Sequence, residues 1–215
     1  MIMIITVDRE FGSGGRELGK RLSDALEIPC YDQEIIEMIA EEHGFDKDYI
    51  SRVSEKSIKA AYPMTIGRRF SSYTPNPATT QIIEVVAAQR KIIENFAKQG
   101  SCIIIGRCAD IILKNDNPFN IFVYADKESK VKRCMERASA DEKLTVAKLE
   151  RKMAEIDKER AKHRTLYTND KWGDKDCYHL CVNTSGVEIK KLVPGLAVYV
   201  QNWVFAGNTK FRSVK

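Results

Sequence analysis

No pair of cysteines stands at the C-x-x-C spacing, although the chain holds six of them (Cys30, Cys102, Cys108, Cys134, Cys177 and Cys181). Cys30, Cys102 and Cys181 lie in or beside apolar runs, where a reduced thiol behaves as a small hydrophobe. Cys177 and Cys181 bracket His179, yet the spacing matches no zinc pattern, and the alternating faces of a strand explain it better. No apolar stretch approaches the roughly 20 residues of a membrane span. The start, Met1-Ile2-Met3-Ile4-Ile5, lacks the basic residues and small-residue cleavage site of a signal peptide, so a cytoplasmic address is the expectation. Repeats and low-complexity segments are missing too. Charge of one sign is scarce: 35 basic against 30 acidic side chains leave +5, with the two signs interleaved. That balance suits an anionic small molecule at least as well as nucleic acid.

What the chain has is the material of one globular domain. At 215 residues, 43% hydrophobic and 30% charged, it can bury a sizeable core and still carry a mobile lid or insertion. Five short apolar runs (3–7, 28–31, 102–105, 120–124 and 178–182) read as buried strands separated by helical patterns. This alternation predicts an α/β fold with a five-stranded parallel sheet covered by helices on both faces. Residues 81–97 form the clearest helix, with Ile82, Val86, Ile93 and Phe96 on or near one stripe. A second helix begins near Pro194-Gly195 and carries Leu196, Val200 and Trp203 towards the core. Trp203, Val204 and Phe205 suit a homodimer patch as easily as the core. Two segments fall outside the layering. Residues 61–80 hold three prolines, aromatics and the pair Arg68-Arg69 in a long irregular stretch. Residues 144–164 form a charged helix with few apolar positions, one face of which is solvent-facing or covers a ligand.

The most informative segment follows the first strand. Arg9-Glu10-Phe11-Gly12-Ser13-Gly14-Gly15-Arg16-Glu17 breaks an apolar run with a glycine cluster and opens at once into the helical pattern Leu18, Leu22, Leu26. Strand, glycine turn and helix together point backbone N–H groups and the positive end of a helix dipole at a phosphate. Gly12, Gly14 and Gly15 exceed what a plain turn needs. Ser13 can donate to a phosphate oxygen. On the frame G-x-x-x-x-G-K-[ST], however, the four defined places hold Glu10, Gly15, Arg16 and Glu17. Arg16 offers a planar fork in place of the lysine. Glu17 either holds Mg²⁺ through a water or repels the phosphates.

Further candidates stand where strands end. Arg107, after the run Ile103-Ile104-Ile105-Gly106, points into the crevice that open parallel sheets form beyond their carboxyl ends, unless it is a surface residue of a turn. Asp32, after the second strand, is either a helix N-cap or a contact for substrate or metal. Positions 153, 157, 160 and 164 share a helical face, which stacks Arg160 and Arg164 over Asp157. Two arginines on one edge either clamp a transferring phosphoryl group or belong to a solvated, salt-bridged helix. Trp172, in Lys171-Trp172-Gly173-Asp174, caps the core edge or stacks on a purine.

Taken together, R-E-F-G-S-G-G-R-E at 9–17, Y-D at 31–32, G-R at 106–107, D-x-x-R at 157–160 and K-W-G-D at 171–174 resemble the cytidylate kinases and, more closely, the cytidylate kinase-like family. The resemblance spans about residues 3 to 200. It implies a three-layer P-loop nucleoside triphosphate hydrolase fold with a core of about 1–31, 99–138 and 171–215. A helical monophosphate-binding insertion of about 32–98 and a lid of about 139–170 complete it. It further implies ATP and Mg²⁺, a nucleotide acceptor whose phosphate meets Arg107, and lid residues Asp157 and Arg160 that contact sugar and phosphate. Cys108 stands where the family's Asp reads cytosine, and Asp32-Gln33-Glu34 lacks the hydroxyl of its D-S-G segment. Three readings follow: a phosphotransferase closing Arg160 and Arg164 onto the γ-phosphoryl, a non-catalytic nucleotide- or phosphometabolite-binding protein, and a nucleic-acid binder using Arg68 and Arg69.

Overall fold

The computed structural model describes residues 2–44, 46–50, 77–138 and 145–206. Arg68, Arg69 and all but the last four residues of the stretch 61–80 lie outside the described residues. Five strands make one sheet: β1 (Ile4–Arg9), β2 (Cys30–Tyr31), β3 (Cys102–Ile105), β4 (Phe119–Tyr124) and β5 (Leu180–Asn183). Their order is β2-β3-β1-β4-β5, and every pairing is parallel. The helices are α1 (Gly15–Leu26), α2 (Glu34–His43), α3 (Pro77–Gln99), the single turn α4 (Ala109–Ile112), α5 (Lys127–Arg137), α6 (Val146–Arg164) and α7 (Ile189–Phe205).

Side-chain alternation along the strands divides the core in two. Ile4, Cys102 and Ile104 face α2, α3 and α4, where Ile35, Ile39, Ile92 and Phe96 complete one cluster. Their neighbours Ile5, Val7, Ile103 and Ile105 face the other way onto Leu18 and Leu22 of α1 and Ile189, Ala197 and Val200 of α7. Continuous apolar strands with helices on both faces are the three-layer α/β arrangement expected from the pattern.

The differences from the expected elements have local causes. β1 runs two residues further than its apolar part, because Asp8 and Arg9 keep pairing with Phe122 and Val123 of β4. The buried stripe of α3 is Val85, Ala88, Ile92, Ile93, Phe96 and Ala97 together with a polar residue, Gln89, while Ile82 and Val86 are only half-buried. Gln89 turns inward to donate from Nε2 to the carbonyl of Arg107 at 3.3 Å. Helix α7 starts at Ile189 rather than near Pro194, which lies inside it. Trp203 and Val204 lean on the core, the Trp203 ring edge-on to Phe119 with centroids 4.9 Å apart, whereas Phe205 is 74% exposed. No helix among the described residues is long and apolar enough to cross a membrane.

Candidate functional site

At the carboxyl end of β1 the chain turns through Glu10–Gly14 into α1. Gly14 is the N-cap residue, at φ +81°, a left-handed conformation that favours glycine, and no side chain caps the helix. The first turn of α1 therefore keeps N–H groups without an intrahelical acceptor, pointing towards the loop. The neighbouring glycines also answer to packing. A Cβ on Gly12 would stand 2.9 Å from Cys134 Sγ, and one on Gly15 would stand 2.5 Å from Arg9 Cβ. Ser13 is fully buried, and its hydroxyl donates back to the Glu10 carbonyl at 2.8 Å. The loop is tied down from outside by Thr184, whose hydroxyl donates to Ser13 O at 2.7 Å. Arg133 of α5 adds a second tie, donating to Gly12 O at 2.7 Å.

Arg107 sits at the parallel position on β3. Gly106, Arg107 and Cys108 have φ of +70°, +61° and +52°, three successive left-handed residues of which two carry side chains. Such a conformation costs about 1–2 kcal/mol for each non-glycine residue, and strain of this kind gathers at functional sites. Arg107 is buried, and with Arg9, Arg160, Asp8, Cys108, His163 and Trp172 it lines a cavity of about 20 Å³. Room of that size suits about one water. The Cys108 thiol lies 3.4 Å from His163 Nδ1. Burial, with Asp8 and Asp110 nearby, pushes that thiol well above its ordinary range, so it stays protonated.

The remaining candidates come from α6, which Thr145 caps at its start. Asp157 and Arg160 reach the glycine loop directly: Asp157 Oδ1 accepts the Phe11 N–H at 2.7 Å, and Arg160 Nη1 donates to Arg9 O at 3.0 Å. Burial raises the Asp157 carboxyl to about 6, against the pull of the Phe11 N–H, Arg160 and Lys130. One turn further on, Arg164 faces inward. Its Nη1 donates to Asp110 Oδ2 at 2.7 Å and lies 3.8 Å from Asp8 Oδ2, with the side chain 2% exposed. Asp8 is also held by Trp172 Nε1 at 3.0 Å and by the Tyr178 hydroxyl at 2.9 Å. The face 153, 157, 160 and 164 thus divides in function. Arg160 and Asp157 meet the loop, while Arg164 anchors the end of the helix in a buried ion pair rather than presenting its charge to a ligand.

Arg16 and Glu17 also differ from their expected roles. The Arg16 guanidinium leans outward, 57% exposed, and pairs with Asp32. Glu17 is shared between Arg21 Nε at 2.8 Å and Arg137. Two guanidiniums already neutralise this carboxylate and compete with any cation there, so the surroundings of Glu17 do not favour a Mg²⁺ ion. Among the described residues no group of three His, Cys, Asp or Glu side chains could hold a metal. Asp32 is buried, with Arg16 on one oxygen and Arg9 Nη2 4.0 Å from the other; it is not the helix cap, since Gln33 holds the N-cap position of α2.

Two larger cavities flank this centre. One of about 410 Å³ opens on the far side of the glycine loop, between Arg133 and Arg137 of α5 and the stretch 186–190, the turn before α7 with the first two residues of that helix. Another, about 610 Å³, lies at the amino ends of β4 and β5 by Asn120, His179 and Trp203, away from the carboxyl ends where parallel sheets bind ligands. Sequence reasoning missed Asp8, Arg9 and Arg133. The first two were hidden because charged residues after an apolar run read as loop, and Arg133 because its partner is a carbonyl 121 positions away.

The chain belongs to the cytidylate kinase-like family, whose model matches residues 4–186. No curated protein matches it. Among solved structures it is similar to an uncharacterized protein from Eubacterium ventriosum ATCC 27560, with a TM-score of 0.66 and 26% identity over 93% of this chain and 98% of that one. It is also similar to the shikimate kinase of Bacteroides thetaiotaomicron, with a TM-score of 0.56 and 13% identity over 95% of this chain and 99% of that one. The shikimate kinase of Acinetobacter baumannii in complex with shikimate gives 0.52 and 13% over 97% and 95%. At such identity the likeness to the shikimate kinases shows the fold, that of the P-loop kinases.

Proposed function

We propose that this chain is a small-molecule kinase that moves the γ-phosphoryl group of ATP onto a nucleoside monophosphate or a similar phosphorylated acceptor. The observation that carries the reading is convergence. Arg9, which leads from β1 into the glycine loop, Arg107 after β3 and Arg160 on α6 line one small cavity beyond the carboxyl ends of β1 and β3. The donor's phosphates would lie against the loop N–H groups, and its nucleoside would enter the cavity between α5 and the turn before α7. Arg107 would hold the acceptor phosphate. In transfer an acceptor oxygen bonds to the γ-phosphorus while the bond to the β–γ bridging oxygen breaks, releasing ADP. No side chain need become covalently attached, so catalysis is positioning and charge stabilisation, the latter from Arg107 and Arg160. Because the cavity between those arginines holds only about 20 Å³, residues 139–170 would have to withdraw as a lid to admit the acceptor. The insertion would be residues 32–98.

A second reading, a nucleotide- or phosphometabolite-binding protein without turnover, is favoured by one observation. Asp157 already takes a loop N–H, and neither Arg16 nor Glu17 supplies what the usual lysine and hydroxyl do. A coupled assay with ATP and a panel of nucleoside monophosphates decides between them, beside a thermal-shift screen of the same ligands, since binding to the folded state raises apparent stability. Formation of ADP that depends on an acceptor supports the kinase. Stabilisation by nucleotides with no turnover for any acceptor supports the binding protein.

A further inference from the structure

The loop's missing lysine leaves a task that the exposed Arg16 does not meet. We propose that Arg9, the last residue of β1, is the cation that reaches the terminal phosphates of the donor nucleotide, acting from the strand instead of from the first turn of α1. The inference rests on the kinase reading and deepens it.

Placement is the first support. The Arg9 side chain is 7% exposed and lines the same cavity as Arg107 and Arg160, whereas Arg16 is 57% exposed at the rim. Arg9 also immediately precedes the loop, and its own carbonyl receives Arg160, so donor loop, lid helix and guanidinium meet at one residue. The second support is the way the backbone makes room. A Cβ on Gly106 would collide with Arg9 Nη1, and a Cβ on Gly15 would meet Arg9 Cβ at 2.5 Å and Cγ at 3.0 Å. Two glycines, one in the loop and one in the turn after β3, leave space along the whole length of this side chain. The third is its counter-ion. Asp32 Oδ1 lies 4.0 Å from Arg9 Nη2 while Asp32 Oδ2 is taken by Arg16. Among the residues lining the cavity the carboxylate is Asp8, already engaged by Trp172, Tyr178 and Arg164. Arg9, Arg107 and Arg160 thus line one small space, where a polyphosphate can take charge-assisted bonds from more than one guanidinium.

The test is calorimetric binding of ATP, ADP and AMP to the full chain and to Arg9→Met, Arg9→Gln and Arg16→Met, with thermal melting as the check on folding. Arg9→Met is expected to weaken ATP by about 30-fold, the loss of one charge-assisted contact, and to leave AMP within about threefold. Arg16→Met is expected to weaken ATP by less than about fivefold. Arg9→Gln, which keeps part of the stem and its polarity, must reproduce the ATP-over-AMP pattern and decides the matter if the methionine variant does not fold. Equal losses for ATP and AMP, an unchanged ATP affinity, or a loss confined to Arg16→Met overturns the role of Arg9 alone. A wild-type chain that binds none of the three nucleotides overturns the kinase reading and this inference together.

Discussion

Asp157 and Phe11, 146 positions apart, share a hydrogen bond of 2.7 Å in which the loop's own N–H is donated to a carboxylate of α6. An acidic side chain thus holds a place on the loop that an anionic ligand would seek. Asp157→Ala removes that competitor, and affinity for inorganic pyrophosphate is expected to rise about fivefold or more by titration calorimetry. A fall in affinity would make Asp157 a ligand contact instead.

Stability should respond to acid through three buried groups. Asp157 is raised to about 6 by burial, and Asp110 to about 6 by burial and the nearby Asp8 against the pull of Arg164. A carboxyl raised in the folded state contributes stability that is fully present below its unfolded value, near 4, and lost as pH rises through 6. His179, lowered to about 4 by burial, works the other way. Its contribution is present above about 6.5 and lost as pH falls through 4. Two carboxyls outweigh one imidazole, so melting temperatures of the wild type should fall as pH rises from 4 to 6.5. Asp157→Asn should tilt them towards greater stability at the higher pH. An unaltered profile in that variant would rule out its assigned carboxyl.

Gly106 is needed for its conformation and for the space beside it. At φ +70°, with Arg9 Nη1 where a Cβ would be, Gly106→Ala should lose at least about 1–2 kcal/mol in urea denaturation from the left-handed conformation alone. Displacement of Arg9 should add to that. A variant as stable as the wild type would show that the turn relaxes freely.

Two of the acidic residues paired with arginines near the site should behave differently when removed. Asp110→Ala strands the Arg164 guanidinium in the core and is expected to cost about 3–5 kcal/mol. Glu17→Gln breaks solvent-facing pairs with Arg21 and Arg137 and should cost no more than about 1 kcal/mol. It should also leave the Mg²⁺ dependence of ATP binding as it is in the wild type. A changed metal dependence would restore Glu17 as a cation ligand.

Much of this site could be read from local pattern. The glycine cluster, the β3 turn at Gly106-Arg107 and the shared face of Asp157 and Arg160 are all short-range signals, because strand, turn and helix periodicities involve neighbours a few residues apart. Roles proved harder to read than positions. Arg160 and Arg164 are one helical turn apart and indistinguishable by spacing, yet one meets the loop and the other is buried against Asp110. Arg16 and Glu17 look like loop ligands in order along the chain, but their partners are Asp32 and Arg137, brought in by β2 and α5.

By itself, then, the sequence determined the layered α/β architecture, the place of the glycine loop and which strand ends carry arginines. Only tertiary structure decided which charge faces which. The direction of a long side chain is set by where a counter-ion and an empty space coincide, and both come from distant segments. Arg9 is the clearest instance, since its path depends on Gly106, which lies 97 positions further along the chain and has no side chain to obstruct it.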